Sequence, residues 1–197
     1  MNDRLEADTA EALVFPSRPV PPAVVRPREG DVERIVRAAW DAHERDLYAL
    51  AVTLVREREA AADVVGDAFV RLVREVRAGR APEDVRGWLY RVVGNLVISR
   101  GRRLATARRF VHRLADRRVQ ESPETVLVRK ELSPALTDAL ASLPTDMRVA
   151  IVLAARGAAG RDIAAAIGRS EAATRTLLTR ARHRLRDRLS AAEGELR

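Results

Sequence analysis

The sequence predicts an all-α protein made of two small helical domains joined by a flexible basic linker. Three observations carry this. Apolar residues recur at spacings of three and four from Asp31 to Gly101 and again from Pro134 to Leu189; no stretch alternates apolar and polar residues as a half-buried strand does; and a polar stretch, Gln120-Glu121-Ser122-Pro123-Glu124, separates the two helical runs. A length of 197 residues suits one compact domain or two small ones, each able to bury a core. With aromatics at only 4%, the cores must be built from Ala, Val, Leu and Ile.

Residues 1–30 hold Pro16, Pro19, Pro21, Pro22 and Pro27 without helical periodicity and are expected to form a disordered leader. From Asp31 the stripe Val32, Ile35, Val36, Ala39, Trp40, His43, Leu47, Leu50, Leu54 marks a first amphipathic helix. A second stripe runs from Ala61 through Val64, Val65, Ala68, Phe69 and Leu72 to Val76, and stops at Gly79 and Pro82. A third begins at Val85, passes Trp88, Leu89, Val92, Val93, Leu96 and Val97, and is expected to end at Gly101. Three such helices can close a bundle, expected over 31–104. After a linker over 105–133, a second domain is expected over 134–190: a short helix at about 134–142, another at about 146–156, then Arg161–Ile167 closed by Gly168, with Ser170 placed to cap a helix reaching about Leu189. Two helices joined by a short turn containing Gly form a helix-turn-helix. Residues 191–197 make a tail.

The net charge of +8 is unevenly placed. Lys130 is the single lysine among the 36 basic residues, so a GC-rich coding bias explains the choice of arginine. It does not explain the position. Arg100–Arg118 holds eight arginines against Asp116, a net of +7; Arg161–Arg188 holds eight against Asp162, Glu171 and Asp187, a net of +5; the remainder sums to −4. Such clustering is what a phosphate-binding surface requires. The chain has no Cys, which excludes disulfides, cysteine nucleophiles and thiolate metal sites. His43, His112 and His183 are too scattered for a metal centre, and no carboxylate pair, phosphate loop or nucleophile arrangement points to an enzyme. No cofactor or metal is expected. No apolar run approaches the ~20 residues of a membrane span, so no membrane insertion and a cytoplasmic location are expected.

Thr174, Leu178, Ala181 and Leu185 are spaced four, three and four apart, giving the last helix one face to pack on Ile163 and Ile167. The opposite face then carries Glu171, Ala172, Arg175, Thr179 and Arg182, with Arg169, Ser170 and Thr176 beside them. A helix that reads duplex DNA needs this division: an apolar seam holding it, and side chains near its N-terminus that reach base edges and phosphates. Trp88 and Tyr90 precede the first basic segment. Trp88 is expected to be a core residue, and Tyr90, two positions on and so on another face, is the better candidate for stacking on an unpaired base.

These residues meet a known pattern. Ala62-Asp63-Val64-Val65-Gly66-Asp67-Ala68-Phe69-Val70-Arg71-Leu72 resembles the region 2 signature of extracytoplasmic-function (ECF, group 4) sigma factors, close to AEDVVQEAFLRLW, and Trp88-Leu89-Tyr90-Arg91-Val92-Val93-Gly94-Asn95 resembles that family's W-L-x-R-I-A-x-N helix. Ala139–Arg148 is similar to the family's entry to region 4. Ile163-Ala164, Gly168-Arg169-Ser170 and Arg180-Ala181-Arg182 are similar to its E-I-A, G-x-S and R-A-R positions. The resemblance spans about 31–189 in order. It implies a dissociable subunit of bacterial RNA polymerase that recognises promoters at minus-10 and minus-35 and helps open the DNA. It further implies that Asp63, Asp67 and Phe69 bind the core enzyme, whose contacts are the β′ clamp and the β flap. Trp88, Tyr90, Arg91, Asn95, Arg100, Arg102 and Arg103 would face the minus-10 element, and Arg169, Ser170, Glu171, Ala172, Arg175, Thr176, Thr179 and Arg182 the minus-35 duplex. An anti-sigma factor is a further candidate partner.

The chain departs from the pattern at Gly66 for the usual Gln, at Ser99 for the common Asp, and at Ala173, Thr174 and Leu177 for the usual Thr, Val and Arg. Gly66 costs its helix about 1 kcal/mol relative to Ala. The +7 segment is more basic than the family's linker and either adds DNA contacts or continues the third helix. Two other readings stand beside the first. A stand-alone helix-turn-helix regulator would bind operators as a dimer without polymerase, and a helical adaptor would bind polymerase without reading DNA.

Overall fold

The computed structural model describes residues 27–111 and 133–195. Within them the chain forms seven α-helices: α1 (Glu29–Val55), α2 (Arg58–Arg77), α3 (Val85–Val111), α4 (Pro134–Ala141), α5 (Thr145–Ala155), α6 (Gly160–Ile167) and α7 (Glu171–Glu195). The leader expected over 1–30 lies outside the described residues as far as residue 26, and α1 begins in its last two positions. Of the expected linker, residues 112–132 lie outside the described residues.

Local chemistry sets most helix ends. Arg56 ends α1 in the left-handed region at φ 67°, its N–H bonded to the Val52 carbonyl, and Glu57 is extended, so α1 turns into α2 within two residues. Gly79, at φ 72°, closes the end of α2, and the Asp84 carboxylate accepts the Gly87 N–H at 2.9 Å at the start of α3. Ser133 caps α4, accepting from the Leu136 N–H, with Pro134 in the first turn, where its missing N–H costs nothing. The third helix does not end at Gly101 as expected; α3 runs on to Val111. A glycine that ends a helix does so in the left-handed region. Gly101 is not among the positive-φ glycines, and the Arg, Leu and Ala residues around it favour helix enough to offset the roughly 1 kcal/mol a mid-helix glycine costs. The basic segment is therefore, as far as Val111, a continuation of α3.

Both helical units form, and they pack on each other. α1, α2 and α3 enclose Leu47, Leu50, Leu54, Leu72, Leu89 and Val93, each essentially inaccessible to solvent. α5, α6 and α7 enclose Val149, Ile163, Ile167 and Ala181. These residues belong to one continuous apolar cluster, because α5 and α6 lie against α3. Gly94 makes the approach possible. A Cβ there would stand 3.1 Å from the Ala166 Cβ and 3.2 Å from both Leu153 Cδ1 and Val149 Cγ1.

Candidate nucleic-acid interface

The helix-turn-helix is α6, the turn Gly168–Ser170, and α7. Gly168 takes φ 67°, ψ 41°, a conformation open to glycine at little cost, and its N–H reaches the Ala164 carbonyl. Ser170 caps α7 by accepting the Ala173 N–H at 3.2 Å. The seam that holds α7 is Thr174, Leu177 and Ala181, all buried, with Leu178 and Leu185 partly buried beside them. The expected seam named Leu178 in place of Leu177. Spacings of three and four both fit one face, and the neighbouring helices select Leu177. Thr174 keeps its buried hydroxyl satisfied by donating to the Ser170 carbonyl at 2.9 Å.

The outward side of α7 is open. Arg169, Ser170, Glu171, Ala172, Arg175, Thr176, Thr179 and Arg182 are all exposed. Arg169 makes an ion pair with Asp146 at 2.7 Å, which ties the turn to the start of α5. Glu171, Ala172, Arg175, Thr179 and Arg182 share one face of α7, the geometry of a helix entering a major groove with its N-terminal half.

The residues expected to meet minus-10 DNA stand differently. Arg102 and Arg103 are exposed at the far part of α3, and Arg100 lies 3.7 Å from Glu57. Trp88 and Asn95 are half-buried. Arg91 faces Asp162 of α6 at 3.7 Å. Tyr90 is only 2% exposed; the Arg86 guanidinium lies 4.6 Å from its ring centre and donates to its hydroxyl at 3.1 Å. The expected order of these two aromatics is thus reversed, with Tyr90 more deeply covered than Trp88. Residues two apart do lie on different faces of α3, but that helix carries α1 and α2 as well as α5 and α6, so neither face is bare.

On α2, Asp63 and Asp67 are exposed and four residues apart on one face. Phe69 is 5% exposed and is a core residue in this arrangement; its ring centre lies 4.6 Å from that of Trp40. Trp40, read from the sequence as part of the buried stripe of α1, is 44% exposed. It lines a groove of about 600 Å³ between α1 and α2 with Val32, Val36 and Val73.

Residues 39–108 match the Sigma-70 region 2 family, a span from α1 through most of α3. The chain is 31% identical over 165 residues to the ECF RNA polymerase sigma factor SigE of Mycolicibacterium smegmatis, an alignment covering 80% of this chain and 64% of SigE, so it spans just under two thirds of that relative. It is 31% identical to the ECF RNA polymerase sigma factor SigM of Mycobacterium tuberculosis, over 73% of this chain and 71% of SigM. It is 30% identical to the RNA polymerase sigma-H factor of Pseudomonas aeruginosa, over 62% of this chain and 72% of that factor. Among solved structures, the sigma factor RpoE of Bartonella quintana, determined in complex with the anti-sigma factor NepR, shares the fold with a TM-score of 0.60 at 22% identity, covering 81% of this chain and 97% of RpoE. With region 2 matched over residues 39–108 and SigM of Mycobacterium tuberculosis 31% identical over 71% of its length, the chain belongs to the ECF family of RNA polymerase sigma factors.

Proposed function

We propose that this protein is a promoter-specificity subunit that joins core RNA polymerase and directs it to a subset of promoters. One observation carries the reading: a single chain joins a region 2 helical unit to a helix-turn-helix whose outward face is free and basic. In this reading Asp63 and Asp67, on the open side of α2, contact the polymerase clamp. The face of α7 from Ser170 to Arg182 enters the major groove at minus-35, where Glu171 accepts from cytosine amino groups and Arg175 and Arg182 reach guanine edges or phosphates. α3 faces the minus-10 element with Tyr90, Arg91 and Asn95, and its extension carries Arg100, Arg102 and Arg103 along the adjoining backbone. Opening requires an unpaired base to be held out of the stack, which costs a few kcal/mol that these contacts must offset. The role is one of binding, without catalysis by this chain. It is exercised in the cytoplasm, where core polymerase works. Among the described residues, no helix is long and apolar enough to cross a membrane. RpoE was determined in complex with an anti-sigma factor; a partner of that kind bound to these surfaces of the present chain would mask them.

A stand-alone operator-binding regulator would use the same α7 face but leaves the match over residues 39–108 without a role. Co-purification separates the two. The chain mixed with core polymerase should form a stable complex, and folded chain that fails to bind core at low salt would refute the proposal.

A further inference from the structure

Val32, Val36 and Trp40 stand four residues apart along the side of α1 that, with Val73 of α2, lines the groove of about 600 Å³. Val32 is buried, Val36 and Val73 are half-buried, and Trp40 is 44% exposed although Phe69 stands against its ring. The charged groups on the rim satisfy one another: Arg77 hydrogen-bonds to Glu29, and Arg37 pairs with Glu33. The groove therefore suits an apolar occupant rather than a charged one. A tryptophan left this open forgoes apolar burial that only a further segment can supply.

We propose that the occupant is the chain's own leader, with Leu13, Val14 and Phe15 seated against Trp40 and Val73. Three features select it. The first is position: the leader enters α1 through Pro27 and Arg28, the latter extended at φ −67°, ψ 153°, and the next residue, Glu29, already lines the groove. The second is reach. From Glu29 to Trp40 the groove follows α1 for about 17 Å, while the thirteen residues from Phe15 to Arg28 span about 20 Å as a flexible chain and about 43 Å fully extended. A tether of that length holds the segment at an effective concentration of order millimolar, so a contact too weak to retain a separate molecule is still mostly made. The third is chemistry. Ala12-Leu13-Val14-Phe15 is the longest apolar run in residues 1–26 that no proline interrupts, and Phe15 is their single aromatic residue. Pro16 follows it directly and narrows the backbone freedom that seating must give up. Seating the leader needs neither polymerase nor DNA, so the free chain alone tests it.

The full chain has two tryptophans and no cysteine. In Trp88→Phe/Val14→Cys, Trp40 is therefore the single tryptophan and residue 14 the single labelling site. A nitroxide attached there quenches tryptophan on contact, and it should at least halve the Trp40 emission, with recovery when ascorbate reduces the label. In the unlabelled Trp88→Phe chain, Leu13→Asp with Phe15→Asp should raise acrylamide quenching of Trp40 at least 1.5-fold without changing the helical circular dichroism. Where Trp88→Phe disturbs folding, the nitroxide on Val14→Cys alone should broaden the methyl resonances of Val36 and Val73 more than those of Ile163 in α6. Trp40 emission indifferent to both the label and the leader substitutions, or broadening spread evenly over the protein, would overturn the proposal. Quenching that disappears on tenfold dilution would overturn it as well and assign the groove to a second copy of the chain.

Discussion

The same substitution at two glycines should move stability in opposite directions, and the backbone says why. Gly66 lies inside α2 with helical dihedrals, and a Cβ there would meet nothing within 4 Å. Gly66→Ala therefore adds a methyl group without a clash and removes backbone freedom from the unfolded chain, a gain of about 1 kcal/mol. Gly168 also has nothing within 4 Å of its Cβ position, but it sits at φ 67°. Gly168→Ala forces a side chain into the left-handed region at a cost of about 1–2 kcal/mol, with no packing change to confuse the sign. For a chain of this size each kcal/mol corresponds to roughly 2–4 °C in midpoint, so thermal unfolding followed by circular dichroism should separate the two variants by about 4–12 °C. A Gly66→Ala protein that melts below wild type, or a Gly168→Ala protein that melts with it, would refute the conformational argument for the turn. Because Gly66 lies between Asp63 and Asp67, Gly66→Ala should leave core binding intact; lost binding with raised stability would instead show the polymerase needs the glycine itself.

Removing the cap with Ser170→Ala should cost about 1 kcal/mol and fray the first turn of α7, read as a lower unfolding midpoint together with weaker minus-35 binding. Arg175→Ala should reduce transcription from cognate promoters and flatten the salt dependence of binding by about one ion while leaving core binding intact. Asp63→Arg with Asp67→Arg should lose core binding first, and identical defects in the two sets would overturn the assignment of surfaces. The Glu29 carboxyl, on the exposed surface, is held below its ordinary value by the hydrogen bond from Arg77, opposed by a small loss of hydration and aided by the Arg77 charge. A folded-state value below the unfolded one stabilises at neutral pH and is lost as pH falls through the carboxylate range. Arg77→Gln should therefore lower the unfolding midpoint slightly near neutrality, and the difference from wild type should vanish in acid.

What could be read without coordinates was local. Gly168 and Ser170 carry their own turn chemistry, so the turn of the helix-turn-helix was legible, although α6 begins at Gly160, one residue before the expected start, and α7 runs past Leu189 to Glu195, into what was expected to be a tail. Asp63 and Asp67 stand on an open face for a periodic reason. Side chains whose burial depends on distant partners were not legible. Phe69 followed from its place in the α2 stripe, but the resemblance gave it to the core enzyme, whereas its ring stands against Trp40, 29 positions earlier; Tyr90 is covered by Arg86. The end of α3 was misread because glycine stops a helix only when its backbone turns left-handed, and the sequence around Gly101 does not state that dihedral. The docking of α5 and α6 on α3 depends on the fit of Gly94 to Ala166, 72 residues away, which no periodicity records.

The account stands most directly on one measurement: mapping transcript 5′ ends made by core RNA polymerase with and without the purified chain on genomic DNA of its own source. It predicts a set of start sites that appears only with the chain, shares sequence at minus-10 and minus-35, and is lost with Arg175→Ala. Start sites unchanged by a folded chain, with no complex formed on core, would contradict it.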